Sequence, residues 1–176
     1  MILEAFADTI IPGERRGPED RAVAGAATGG GAVTSGAVDL MVSVEGGIAG
    51  MLDTLTIALG DHAVAYAKLH SLDLDPAVPP LVALPFGHRT ALVAALTAPE
   101  HPEQEMWVAL AMFSAMAWDT GAADHTVDAM AGGHPGLLQA GFTRPDDDGL
   151  WRFPDFSYRR VLARPHPHTT ATGDPE

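Results

Sequence analysis

Apolar side chains recur at helical spacing through most of this chain. Ile2, Phe6 and Ile10 stand at i, i+4 intervals, with Leu3 and Ile11 beside the same stripe. Pro12 then disfavours helix at Ile11 and Gly13 permits a left-handed turn, so the first helix is expected to stop there. Thr34 or Ser35 can cap a second helix through Val38, Leu40, Met41, Val42 and Val44. Gly46-Gly47 weakens it, and a third run leads from Ile48 through Met51, Leu52, Leu55, Ile57 and Leu59 to Leu69. Residues 86–97 read as a helix closed by Pro99. Residues 102–118 form a further one, with proline and acids in its first turn. Apolar residues fall on nearly every side of these central segments, the pattern of helices buried inside a bundle. Residues 102–118 are expected to be the most buried element.

Between the helices lie segments with no period. Residues 14–21 are charged and contain Pro18, and residues 22–36 are rich in glycine and alanine, so both read as exposed connector. Residues 75–85 hold Pro76, Pro79, Pro80 and Pro85, an extended connection unsuited to a helix interior. Residues 120–136 predict a short helix between loops. From Phe142 onward the character changes: Trp151, Phe153, Phe156 and Tyr158 alternate with arginines, Pro145 and Pro154. That segment reads as a loop wrapping over the bundle, with a short strand at residues 158–162, followed by a mobile proline- and threonine-rich tail. The expected architecture is all-α: a single-domain helical bundle over residues 1–163 with an aromatic, mostly irregular C-terminal wrap, then a tail over residues 164–176.

Composition narrows what such a bundle can do. The chain has 176 residues, 47% hydrophobic and 19% charged, enough apolar surface to build a core rather than stay disordered. A net charge of −13 with Lys68 as the one lysine excludes the clustered basic residues that a nucleic acid or an anionic membrane requires. With no cysteine, thiolate zinc sites, iron–sulfur clusters and cysteine nucleophiles are excluded. Asp39, Glu45, Asp53 and Asp61 interrupt every apolar run before it could span a membrane. No export signal precedes the first helix, so a cytoplasmic protein is expected.

Candidate chemistry is sparse. Gly29-Gly30-Gly31 fits neither a Walker loop nor a dinucleotide loop, and reads as a flexible linker or a close backbone contact. Asp124, His125, Asp128 and nearby His134 are ligand types for a divalent metal, but they follow no specific ligand motif and no metal or cofactor is assigned. His166-Pro167-His168 is a chelating pair in a tail, expected to bind metal only adventitiously. Serine-hydrolase signatures are absent. Asp53, His62 and Tyr66 are polar residues inside apolar runs, His62 and Tyr66 sharing a face. If buried, Asp53 and His62, with Asp119 at the end of a buried helix and His134, are candidates for proton transfer; each has a plain structural alternative. The aromatic block is either a binding lid or packed C-terminal wrap.

Phe6-Ala7-Asp8-Thr9-Ile10-Ile11-Pro12-Gly13 resembles the opening of the small, third subunit of gluconate 2-dehydrogenase and related bacterial families, and Gly133-His134-Pro135-Gly136 looks like a Gly/Pro turn of such proteins. The resemblance implies a helical, flavin-free accessory subunit paired with a large FAD-dependent oxidoreductase of the glucose–methanol–choline type. In that reading Phe6, Trp107, Trp118, Trp151, Phe153 and Tyr158 are binding residues. The alternative is a small cofactor-independent enzyme of secondary metabolism, a cyclase, isomerase or hydro-lyase, using Asp53, His62, Asp119 and His134 on an apolar metabolite with Trp107, Trp118 and Trp151 shaping the pocket.

Overall fold

The computed structural model describes residues 1–142. Trp151, Phe153, Tyr158, the expected strand, the wrap, the tail and the 163/164 boundary lie outside the described residues. Eight helices follow in order: α1 (Ile2–Ile10), α2 (Ala37–Val42), a 3-10 turn (Ala49–Met51) running into α3 (Leu52–Leu69), α4 (Pro80–Ala83), α5 (Phe86–Leu96), α6 (Gln104–Thr120), α7 (Thr126–Ala131) and α8 (Pro135–Gln139). No strand occurs among the described residues, and the domain is all-α.

The centre of the bundle is α1. This helix has only nine residues, too few to hold together alone in water, and it is helical because it is surrounded. It packs against α2, α3, α4, α5 and α6. Ala5, Phe6 and Ala7 are fully buried, and the two alanines flanking Phe6 let neighbouring helices approach closely. The buried Thr9 hydroxyl donates to the Ala5 carbonyl at 2.6 Å, so its polar atom is satisfied within the helix.

Two expectations are corrected by the fold. Helices α3 and α6 are not enclosed on all sides. α3 buries the stripe Leu52, Leu55, Leu59, Ala63 and Ala67 and leaves Ile57 and Val64 66% and 50% exposed. α6 buries Trp107, Leu110, Ser114 and Ala117 while Met112 and Met116 face out. An apolar pattern without a polar face does not say which side packs, and here one short helix fills the position that a longer one was expected to take. The second correction lies at residues 75–85, where Pro80 opens α4. Proline fits there because the first-turn N–H has no helical partner to lose.

In the interior of α3, a Cβ added at Gly60 would meet nothing within 4 Å. Gly60→Ala is therefore expected to raise stability by about 1 kcal/mol through helix propensity alone, read as an upward shift of the thermal midpoint.

The chain leaves α1 through a buried carboxylate. Asp8, 1% exposed, accepts the Gly13 N–H on Oδ1 at 3.1 Å and the Ala24 N–H on Oδ2 at 2.8 Å. One side chain thus fixes both the turn after the helix and the connector behind it. Arg89 of α5, 4% exposed, grips the same connector, its guanidinium donating to the carbonyls of Leu84 at 3.1 Å and Ala22 at 2.7 Å. Burial pushes Arg89 below its usual pKa; the charge of Asp8 opposes that shift and Arg15 adds to it. The connector is accordingly not exposed throughout: Ala22, Val23, Gly31, Ala32 and Ser35 are buried. Gly29-Gly30-Gly31 is a close backbone contact, with Glu14 N–H donating to the Gly29 carbonyl at 2.8 Å and Ala32 N–H to Ile11 at 3.0 Å.

On the outer side, Arg16 joins Glu4 of α1 at 2.7 Å to Asp20 of the connector at 2.7 Å. The Arg16 hydrogen bond, aided by backbone N–H groups of Val23 and Arg16 and resisted by burial, holds the Asp20 carboxyl well below its ordinary 3.8. A carboxylate lowered on folding stabilises the native state above its unfolded pKa and loses that contribution as pH falls toward its folded value. Urea midpoints should fall as pH drops below 3.8, and Asp20→Asn should flatten that dependence.

Candidate functional site

One face of α3 carries His62 and Tyr66 on successive turns, with His70 directly after the helix end, and two other segments bring partners to it. The start of α6 supplies Glu103, whose Oε2 accepts from His62 Nε2 at 2.8 Å and from the Trp107 indole N–H at 3.1 Å. The His62 ring stands edge-on to His101, centroids 5.6 Å apart, and to Trp107 at 5.7 Å. His101 Nδ1 accepts the Glu103 backbone N–H at 3.2 Å. From α5 comes His88, with Nδ1 hydrogen-bonded to the Tyr66 hydroxyl at 3.2 Å. The His70 ring lies 4.2 Å from that of Tyr66. The fully buried Trp107 is the anchor of this arrangement, since its ring is fixed in the core and its indole N–H reaches outward to orient the carboxylate. The hydrogen bond from His62, then that from Trp107, holds the Glu103 carboxyl below its usual range, with the charges of His62 and His101 adding less. The pair is open to water: the His62 and Glu103 side chains are 31% and 44% exposed.

A second concave region lies where α7 and α8 meet α2. Asp39, Asp124, Asp128 and His134 line a cleft of about 340 Å³ with Thr34, Ser35 and Gly36 among its walls. His125 and His134 cap α7 and α8, their Nδ1 atoms accepting the N–H groups of Val127 at 3.3 Å and Leu137 at 3.2 Å. Both rings therefore already hold a structural post. His134 Nε2 is buried with no partner. Asp124, Asp128 and His134 do share one cleft, but among the described residues the metal-ligand types that converge are elsewhere, at His62, His101 and Glu103.

The sequence candidates separate cleanly against this geometry. Asp53 and Asp119 are exposed, so the burial on which their proton-transfer role depended is absent. His62 is half-buried and paired, and His134 is half-buried and caps a helix. Phe6 and Trp107 are 0% exposed and belong to the core; neither offers a docking surface, which corrects their reading as residues that bind a partner. Trp118 is half-buried, its backbone against Gly136. Sequence reading paired His62 with Tyr66 correctly but missed Glu103, His101 and His88, taking His101-Pro102-Glu103 only as a helix start. The overlooked signal was a histidine two residues from a glutamate at the entry of a helix holding a buried tryptophan.

The family model that matches the chain, over residues 1–176, is described as Family of unknown function (DUF5987). The chain belongs to the DUF5987 family. Neither a curated protein nor a solved structure matches it. Among the described residues of this DUF5987 chain, no helix is long and apolar enough to cross a membrane.

Proposed function

We infer that this chain is a non-catalytic helical accessory subunit that docks, in the cytoplasm, on a large FAD-dependent oxidoreductase of the glucose–methanol–choline type. The observation carrying the docking role is a pair of apolar stripes left exposed among the described residues, Ile57 and Val64 on α3 and Met112 and Met116 on α6, each at least 42% exposed. Large apolar side chains recurring in rows on one helix face are what a protein partner covers. The partner class comes from the resemblance carried by Phe6 to Gly13. A second reading, the cofactor-independent acid/base enzyme, is favoured by one feature, the cleft under His134.

Co-expression with an oxidoreductase encoded beside the gene tests the first reading. Co-elution of the two chains is expected, and Ile57→Asp or Met112→Asp should weaken it by about tenfold or more. A neighbour of another class, or one that never co-elutes, would overturn the proposal. Turnover of an apolar metabolite by the isolated chain, lost in a His134→Ala variant that retains its helical fold, would favour the second.

A further inference from the structure

We propose that His62, His101 and Glu103 form a binding site for a divalent transition-metal ion of the zinc class. One ring nitrogen of each histidine and one Glu103 carboxylate oxygen lie within 4.8 Å of one another. Ligand atoms around a tetrahedral ion at 2.0–2.2 Å stand about 3.4 Å apart. The observed 2.8 Å from His62 Nε2 to Glu103 Oε2 and the 4.8 Å bound bracket that separation, so small side-chain rotations close the set. Two imidazoles and one carboxylate suit zinc, cobalt or nickel and not magnesium or calcium, which take oxygen ligands.

Three further observations support a built site rather than a chance meeting of polar groups. The ligands come from helix α3 and from the turn that leads into α6, His62 and Glu103 being 41 residues apart in sequence. Trp107, anchored in the core, donates to the carboxylate at 3.1 Å, the outer hydrogen bond that orients a metal-binding carboxylate. The His62 ring is held edge-on between His101 and Trp107. In the metal-free form the His62 Nε2–H, donated to Glu103 Oε2, occupies the place of the ion. To ligate through Nε2 the ring carries its single proton on Nδ1 instead. With three protein ligands, the remaining coordination positions face water, because His62, His101 and Glu103 are all partly or fully exposed.

Cobalt(II) titration of the full-length protein, followed by visible absorption and isothermal calorimetry, tests the site. Wild-type protein should bind one equivalent with the intense bands of low-coordinate cobalt, and zinc should displace it. His62→Ala and Glu103→Gln should each weaken binding by about tenfold or more, and Trp107→Phe, which removes the indole donor and leaves a smaller aromatic ring in the core, by about tenfold. His70→Ala and the double change His166→Ala with His168→Ala should leave it intact, since none of these is among the three proposed ligands. Absence of cobalt binding, binding unchanged in His62→Ala and Glu103→Gln, or binding lost with the tail histidines would each overturn the proposal. Far-ultraviolet circular dichroism of each variant separates loss of ligand from loss of fold.

Discussion

Asp8→Ala is expected to remove about 3–5 kcal/mol of stability, a large part of the total available to a domain of this size. Three losses add at one place. The N–H groups of Gly13 and Ala24 lose their acceptors, and a buried donor without a partner costs about 1–3 kcal/mol. Arg89 loses the charge of Asp8, which opposes the lowering of its pKa by burial, and keeps only carbonyl partners. Asp8→Asn, which retains one carbonyl oxygen but turns an NH2 group toward the other donor, should fall between wild type and alanine. Urea unfolding of Asp8→Ala, Arg89→Met and the double variant checks the account. If the carboxylate and guanidinium stabilise one another, the double variant is less destabilised than the sum of the singles. Additive losses would mean that the two side chains merely grip the same connector independently.

The same residue shows what could and could not be read from the sequence. The stop after Ile10 was legible because Pro12 and Gly13 are local signals, and the helix of residues 86–97 was legible because Pro85 and Pro99 bracket it. That α1 is the hub was not legible. Periodicity reports which face of a helix is apolar, and a helix surrounded by five others has the same apolar stripe as one lying on a surface. The long α3 and α6 carry more apolar residues than their packing uses, so composition pointed to them instead. The pairing of His62 with Tyr66 follows from helix geometry alone. Glu103, His101 and His88 reach that face only because α5 and α6 fold back on α3, and no spacing rule joins residue 62 to residue 103. Asp53 and Asp119 were candidates only if buried, a condition that spacing does not settle; both sit on the exposed side of their helices.

Gly31→Ala should separate the two readings of the glycine run by the sign of its effect. In a flexible linker an alanine restricts the unfolded chain and stabilises by a few tenths to about 1 kcal/mol. In the folded protein a Cβ at Gly31 would stand 2.6 Å from the Gly13 nitrogen, 2.6 Å from the Ile11 oxygen and 2.7 Å from the Pro12 carbonyl carbon. All three are backbone atoms of the exit from α1, already fixed by Asp8, and none can rotate away. A destabilisation of about 3 kcal/mol or more is expected, beyond ordinary overpacking against side chains, which typically costs about 1–3 kcal/mol. Gly17→Ala is the matched control, since nothing lies within 4 Å of a Cβ there, and it should be neutral or slightly stabilising. The neighbouring glycine faces the other way: a Cβ at Gly30 would stand 2.6 Å from Pro135 Cγ. Gly136, one residue on, leaves no room for a methyl against the Trp118 carbonyl of α6. The run therefore joins Phe6-Ala7-Asp8-Thr9-Ile10-Ile11-Pro12-Gly13 to Gly133-His134-Pro135-Gly136, segments about 120 residues apart in the chain. Gly31→Ala should loosen the first junction and Gly136→Ala the second. Amide hydrogen exchange distinguishes them, through faster exchange at Ala24 and Ala32 in the former and at Leu137 and Leu138 in the latter.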